Sequence, residues 1–181
     1  REGFVRARID GELVELEANA RVPLDGKKKH SIEVVVDRLV VSDKARGRLA
    51  DSVETCLRLA RQYHRLRGAS TRTKFLSLKK GYHGTHTGGA SVNGNANFRT
   101  QYEPLMPGCF HIPAPYTYRN PFNERDPAKL AQLCLQALED EIAFQGANTI
   151  AAFIMEPVLG AGGVIPPNAD LNFDVELFGC K

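Results

Sequence analysis

The stretch that decides the fold is Asp126–Gly163, DPAKLAQLCLQALEDEIAFQGANTIAAFIMEPVLGAGG. Its first part predicts a helix over Asp126–Phe144. Asp126 can cap it, Pro127 suits the first helical position, and Leu130, Leu133, Cys134, Ala137, Leu138 and Ile142 recur as one apolar stripe. Thr149–Met155 follows as a continuous apolar strand, of the kind buried on both faces in a parallel sheet. It runs into Glu156-Pro157 and then Gly160, Gly162 and Gly163. Helix, buried strand and glycine loop make an α/β rhythm.

Working back from there, Lys74–Leu78 (KFLSL) reads as a short strand of the same sheet. Lys80–Asp126 between them is rich in glycine, proline, asparagine and aromatics and has little periodicity, which in a compact domain points to a site or an interface. Pro113, Pro115 and Pro121 among Tyr116, Tyr118 and Phe122 suggest a rigid, packed loop. Arg46–Leu66 reads as a helix with Leu49, Val53, Cys56, Leu57 and Ala60 on one face and Gly68 as its stop. Ser31–Val41 is a β-branched strand, and Gly3–Leu16 reads as a hairpin turning at Asp10-Gly11. Leu171–Lys181 has no clear assignment.

The chain has 181 residues, 43% hydrophobic and 25% charged, with a net charge of +3. That is enough apolar material for a core and too balanced a charge for disorder. No apolar run approaches the ~20 residues of a membrane helix. Arg1-Glu2-Gly3 shows no leader, and neither half holds the basic surplus of an electrostatic nucleic-acid binder. Lys27-Lys28-Lys29-His30 reads as a solvated turn. Cys56, Cys109, Cys134 and Cys180 form no CxxC pair, so no metal is expected and a reduced, cytoplasmic setting is the default. No P-loop or GxGxxG pattern occurs.

Two places stand out. Tyr82-His83-Gly84-Thr85-His86 follows the Lys74–Leu78 strand, and Glu156 ends the Thr149–Met155 strand. Ligands of α/β folds bind beyond the carboxyl ends of strands, so an aromatic with two histidines there can face a planar ligand. A surface loop and a helix-capping carboxylate are the structural alternatives. Gly88-Gly89 and Gly160–Gly163 allow either tight turns or close backbone approach.

KFLSLKKGYHGTHTGGASVNGN, YEPLMPGCFHIPAPYTYRNPF and TIAAFIMEPVLGAGGVIPP resemble the class III, fold-type I pyridoxal-phosphate-dependent aminotransferases, from about Val53 to Pro167. GFVRARIDGELVEL, KKKHSIEVVVDRLVV and RLADSVETCLRLA resemble the segment of the excinuclease subunit UvrA that docks UvrB. The two resemblances overlap in Ser52–Ala60. The chain therefore looks like a chimera: a UvrA-like β-rich part over 1–60, an aminotransferase-like α/β part over 53–169 and an unassigned tail over 170–181. The expected fold is α/β, with an N-terminal hairpin plus strand, a shared helix and a partial aminotransferase sheet.

The resemblance implies pyridoxal phosphate as cofactor, with Tyr82 stacking on its ring, His83 and Gly84 completing that motif, and Glu156 beside cofactor and substrate. Leu49-Ala50-Asp51-Ser52 stands where the family's phosphate-binding Gly-Ser pair belongs, so Ser52 offers one donor and Asp51 repels. Lys74, Lys79, Lys80 and Lys129 match neither the Schiff-base lysine nor any other catalytic position, and no pyridine-binding Asp is matched. An inactive aminotransferase fragment is the leading expectation. The UvrA-like part implies a UvrB-type partner reached through Arg6, Arg8 and Arg38, and the aminotransferase-like part a homodimer. A DNA-repair interaction module and an engineered chimera with no biochemical function are the alternatives.

Overall fold

The computed structural model describes residues 4–16, 22–40, 43–156, 159 and 172–178. Gly3, Val41, Pro157, Gly160–Gly163 and both ends of the tail fall outside these.

The hairpin forms β1 (Arg6–Ile9) and β2 (Glu12–Glu15), with Arg6 opposite Glu15 and Ile9 opposite Glu12. Asp10 and Gly11 turn it at φ of 52° and 90°, the positive pair of a two-residue turn that matches strand twist. Asp10 also reaches forward: its carboxylate accepts the Ser31 N–H at 2.8 Å and sits 2.7 Å from His30 Nδ1. These contacts fix the start of β3 (Ile32–Val40), which runs antiparallel to β1. The unassigned tail supplies β7 (Asn172–Phe178), which is antiparallel to β3 on its other side and gives the order β2-β1-β3-β7.

Helix α1 (Arg46–Leu66) has the expected bounds. Gly68 ends it at φ +76°, donating to Arg65 O while Ala69 N–H donates to His64 O, the paired closure that a left-handed residue after a helix makes. Val53, Cys56, Leu57 and Ala60 are buried as anticipated, and so are Ala50, Leu59 and His64. The apolar stripe is wider than the periodicity suggests because α1 touches β3 and β7 on one side and the second sheet on the other.

That second sheet is parallel, ordered β5-β4-β6, from β4 (Lys74–Leu78), β5 (Cys109–Ile112) and β6 (Ile150–Ile154). Phe75 and Leu76 of β4 are fully buried, each worth about 2 kcal/mol of apolar transfer. Phe75 joins Val53, Leu57, Ala60, Val92 and Ala151 in one core cluster. Helix α3 (Pro127–Gln145) is capped by Asp126, whose carboxylate accepts the Lys129 N–H. Leu130 and Cys134 are buried, but Leu133 is 38% exposed, because this helix covers only a narrow sheet. Inside Lys80–Asp126 the structure adds β5 and the six-residue α2 (Thr87–Val92), which the sequence did not signal. The proline-rich loop is knotted around Asn120, whose amide donates to Tyr116 O and Glu124 O and accepts the N–H groups of Phe122 and Glu124. Among the described residues no helix is long and apolar enough to cross a membrane, and no grouping of metal-ligating side chains occurs.

Candidate functional site

Because β4 and β6 run parallel, their carboxyl ends lie side by side, and the two motifs that stand out in the sequence meet there. Glu156 Oε1 accepts the Tyr82 backbone N–H at 2.5 Å across 74 residues. The carboxylate thus holds the aromatic motif rather than capping a helix. The Tyr82 ring stands edge-on to Phe98, centroids 4.9 Å apart at 67°. Gly81 makes the approach possible: a Cβ there would lie 3.0 Å from His83 Nε2, 3.1 Å from Leu78 O and 3.7 Å from Glu156 Oε1.

The two histidines part company. His83 is buried, and burial, followed by the charge of nearby His111, lowers its pKa to about 4. His111 is lowered as well, first by burial and then by Arg99. His86 instead is exposed at the start of α2, its Nδ1 3.4 Å from Asp51. Tyr82 is partly exposed.

Side chains with no signal in the sequence finish the frame. Glu54 of α1 accepts the Gly88 N–H at 2.9 Å. Fully buried Asn93, at the end of α2, accepts the His83 N–H and donates to Gly84 O and Phe98 O. Gly94 passes so close to β4 that a Cβ would come within 2.1 Å of Leu78 O. A residue's choice of partner across such distances leaves no local pattern.

Ser52 lies elsewhere. Its hydroxyl donates to Asp37 Oδ2 at 2.8 Å and to Arg48 O at 2.9 Å. It also sits in the second turn of α1, so the N–H groups around it are spent on intrahelical bonds, and no helix start opens at Leu49–Ser52. Arg6 and Arg8 lie on β1, 3.8 Å from Glu15 and 3.5 Å from Glu33, and Arg38 is exposed on β3. A groove of about 510 Å³ runs between Asp51, Glu54, Arg58 and Arg61 of α1 and Met106, and does not include Tyr82 or Glu156.

The family model described as Aminotransferase class-III matches residues 46–179. This chain belongs to the class-III aminotransferases. The model of the UvrA interaction domain matches residues 1–66. The two matches overlap over residues 46–66, the span of α1. An omega-aminotransferase of Caulobacter vibrioides is 40% identical over 127 residues, 68% of this chain and 28% of that protein. An adenosylmethionine-8-amino-7-oxononanoate aminotransferase of Anoxybacillus flavithermus is 41% identical over 64% of this chain and 25% of its own length. Among solved structures, an amine transaminase from an uncultivated Pseudomonas species, in its PLP-bound form, is 47% identical. It has a TM-score of 0.64 and covers 74% of this chain and 29% of its own. The chain spans roughly a quarter of the length of the curated class-III aminotransferases it matches.

Proposed function

We propose that this chain carries one wall of the pyridoxal-phosphate site of an amino-transferring enzyme, and that these 181 residues alone do not turn over amines. The observation that carries the reading is the Glu156–Tyr82 hydrogen bond, which joins the two family motifs at the carboxyl ends of parallel strands. When bound in an aminotransferase, the cofactor ring takes up the electron pair freed at the amine carbon. The described residues fit that ring on one face, through Tyr82, with Glu156 fixing the backbone beneath it. They do not fit its phosphate: the N–H groups near Ser52 are engaged inside α1, and Asp51 and Glu54 bring negative charge to that helix. Lys74 donates to Gln145 O, and the Lys80 ammonium lies 4.6 Å over the Tyr116 ring. Borohydride reduction after adding the cofactor, followed by peptide mass mapping, is expected to label no lysine specifically, and no amine-dependent turnover is expected. A single labelled lysine would overturn the reading.

A second reading rests on the match of residues 1–66 to the UvrA interaction domain. In it, the β2-β1-β3 face docks a UvrB-type protein of nucleotide excision repair, with Arg6, Arg8 and Arg38 meeting carboxylates of the partner. The chain would then be a chimera with an interaction role. A pull-down with UvrB is expected to retain the chain and to lose it on Arg38→Glu. Equal retention of both would remove the arginine contact, and no retention the whole reading.

A further inference from the structure

The Tyr82 ring can serve as a wall only if the backbone beneath it and the ring beside it are both held. Two consecutive N–H groups in this turn are taken by side chains from different elements: Tyr82 N–H by Glu156 beyond β6, and His83 N–H by Asn93 Oδ1 at 2.5 Å. The amide nitrogen of the same Asn93 donates to Gly84 O at 2.9 Å and to Phe98 O at 3.3 Å. Phe98 is the residue whose ring meets Tyr82 edge-on. One side chain therefore grips the turn that carries Tyr82 and the segment that carries its ring neighbour.

The orientation of the amide is fixed by its surroundings. Turned over, it would set its NH2 against the His83 N–H and its oxygen against two carbonyls. Asn93 is 0% exposed beside Ala90 and Val92, where an apolar residue would serve packing alone. A buried amide is retained at no cost only when its groups are paired, and here both donors and the oxygen are.

We propose that Asn93 is the positioning residue for the Tyr82 wall: it locks the His83-Gly84 turn to Phe98 and so sets the angle of the Tyr82 ring. This rests on Tyr82 being the ring wall, and the test separates the two ideas. In Asn93→Asp the shape and the acceptor for His83 N–H remain, but both donors are lost and a carboxylate faces two carbonyls. By NMR, this variant is expected to lose the ring-current displacement that Phe98 imposes on Tyr82, and its His83 amide to exchange about tenfold faster. Acidification should rescue part of the shift, because a protonated carboxyl donates again and burial raises its pKa. An unchanged Tyr82 shift and His83 exchange at neutral pH would overturn the proposal. Pyridoxine, added to the unaltered chain, is expected to move the Tyr82 ring signals. If it does not, the ring-wall reading fails while the ring-current and exchange results still decide the role of Asn93. Should the variant not fold, native-state exchange of the unaltered chain decides instead. His83 N–H is then expected to open only with the core of α1, and a local opening that leaves α1 protected would overturn the proposal.

Discussion

His83 remains neutral in the fold at acidities where an open imidazole would carry a proton. Its ordinary value is 6.5, and burial followed by His111 brings it to about 4. The groups around it are His111 from β5, Glu156 across Gly81, and Arg99 and Lys79, which both act on His111. Between those two values the unfolded chain binds more protons than the folded one, so acid favours unfolding. The stability this residue contributes is complete above about pH 6.5 and is lost as pH falls toward 4, by up to ~3 kcal/mol. Urea midpoints measured across that range are expected to fall with acid, and His83→Gln to flatten part of that limb. An equally steep limb in the variant would show that His83 does not drive it. Cys56 behaves as a core atom: burial pushes its thiol up to about 12, so it is no nucleophile at neutral pH.

At the scale of elements, α1 is the piece that both sheets share. Its link to the first sheet is polar as well as apolar. Asp37 on β3 accepts Arg48 through both oxygens and also the Ser52 hydroxyl. Burial pushes the Asp37 carboxyl up, yet Arg48, Ser52 and the Arg38 N–H together hold it below its usual 3.8. Its contribution is therefore present above about pH 3.8 and is lost in stronger acid. A double-mutant cycle with Asp37→Ala and Arg48→Ala is expected to give a coupling of about 1 kcal/mol, kept small by the exposure of Arg48. Asp37→Ala should cost more than Arg48→Ala, because it also leaves buried Ser52 with Arg48 O alone. A coupling near zero would mean that the Asp37–Arg48 pair does not help to hold β3 to α1. Apart from β7 in the unassigned tail, the elements that sequence periodicity missed are short: α2 is six residues with two glycines, and β5 is four residues. Neither is long enough to display a period. Gly89 is needed there by proximity, since a Cβ atom would fall 2.4 Å from the backbone oxygen of His83.

For the whole molecule, the shared helix and β7 tie together parts that resemble unrelated families. Residues 46–66 serve both, and a strand from the far end of the aminotransferase match completes the sheet begun by the UvrA-like residues. One cooperative transition is expected, with far-ultraviolet dichroism and tyrosine fluorescence melting together in this chain without tryptophan. Two separated transitions would show that α1 does not couple the sheets. The hairpin, α1, β4, α3 and β6 were legible in the sequence because turn chemistry, caps and apolar spacing are local, and each acts within a few residues. So was the family, carried by contiguous motifs. Tertiary structure alone decided that β7 pairs with β3, that Glu156 holds Tyr82, that His83 turns inward while His86 turns out, and that Ser52 serves Asp37. Those choices join residues separated by 15 to 145 positions or depend on what covers them, and a hydrogen-bonding group carries no mark in the sequence of the distant partner that will satisfy it.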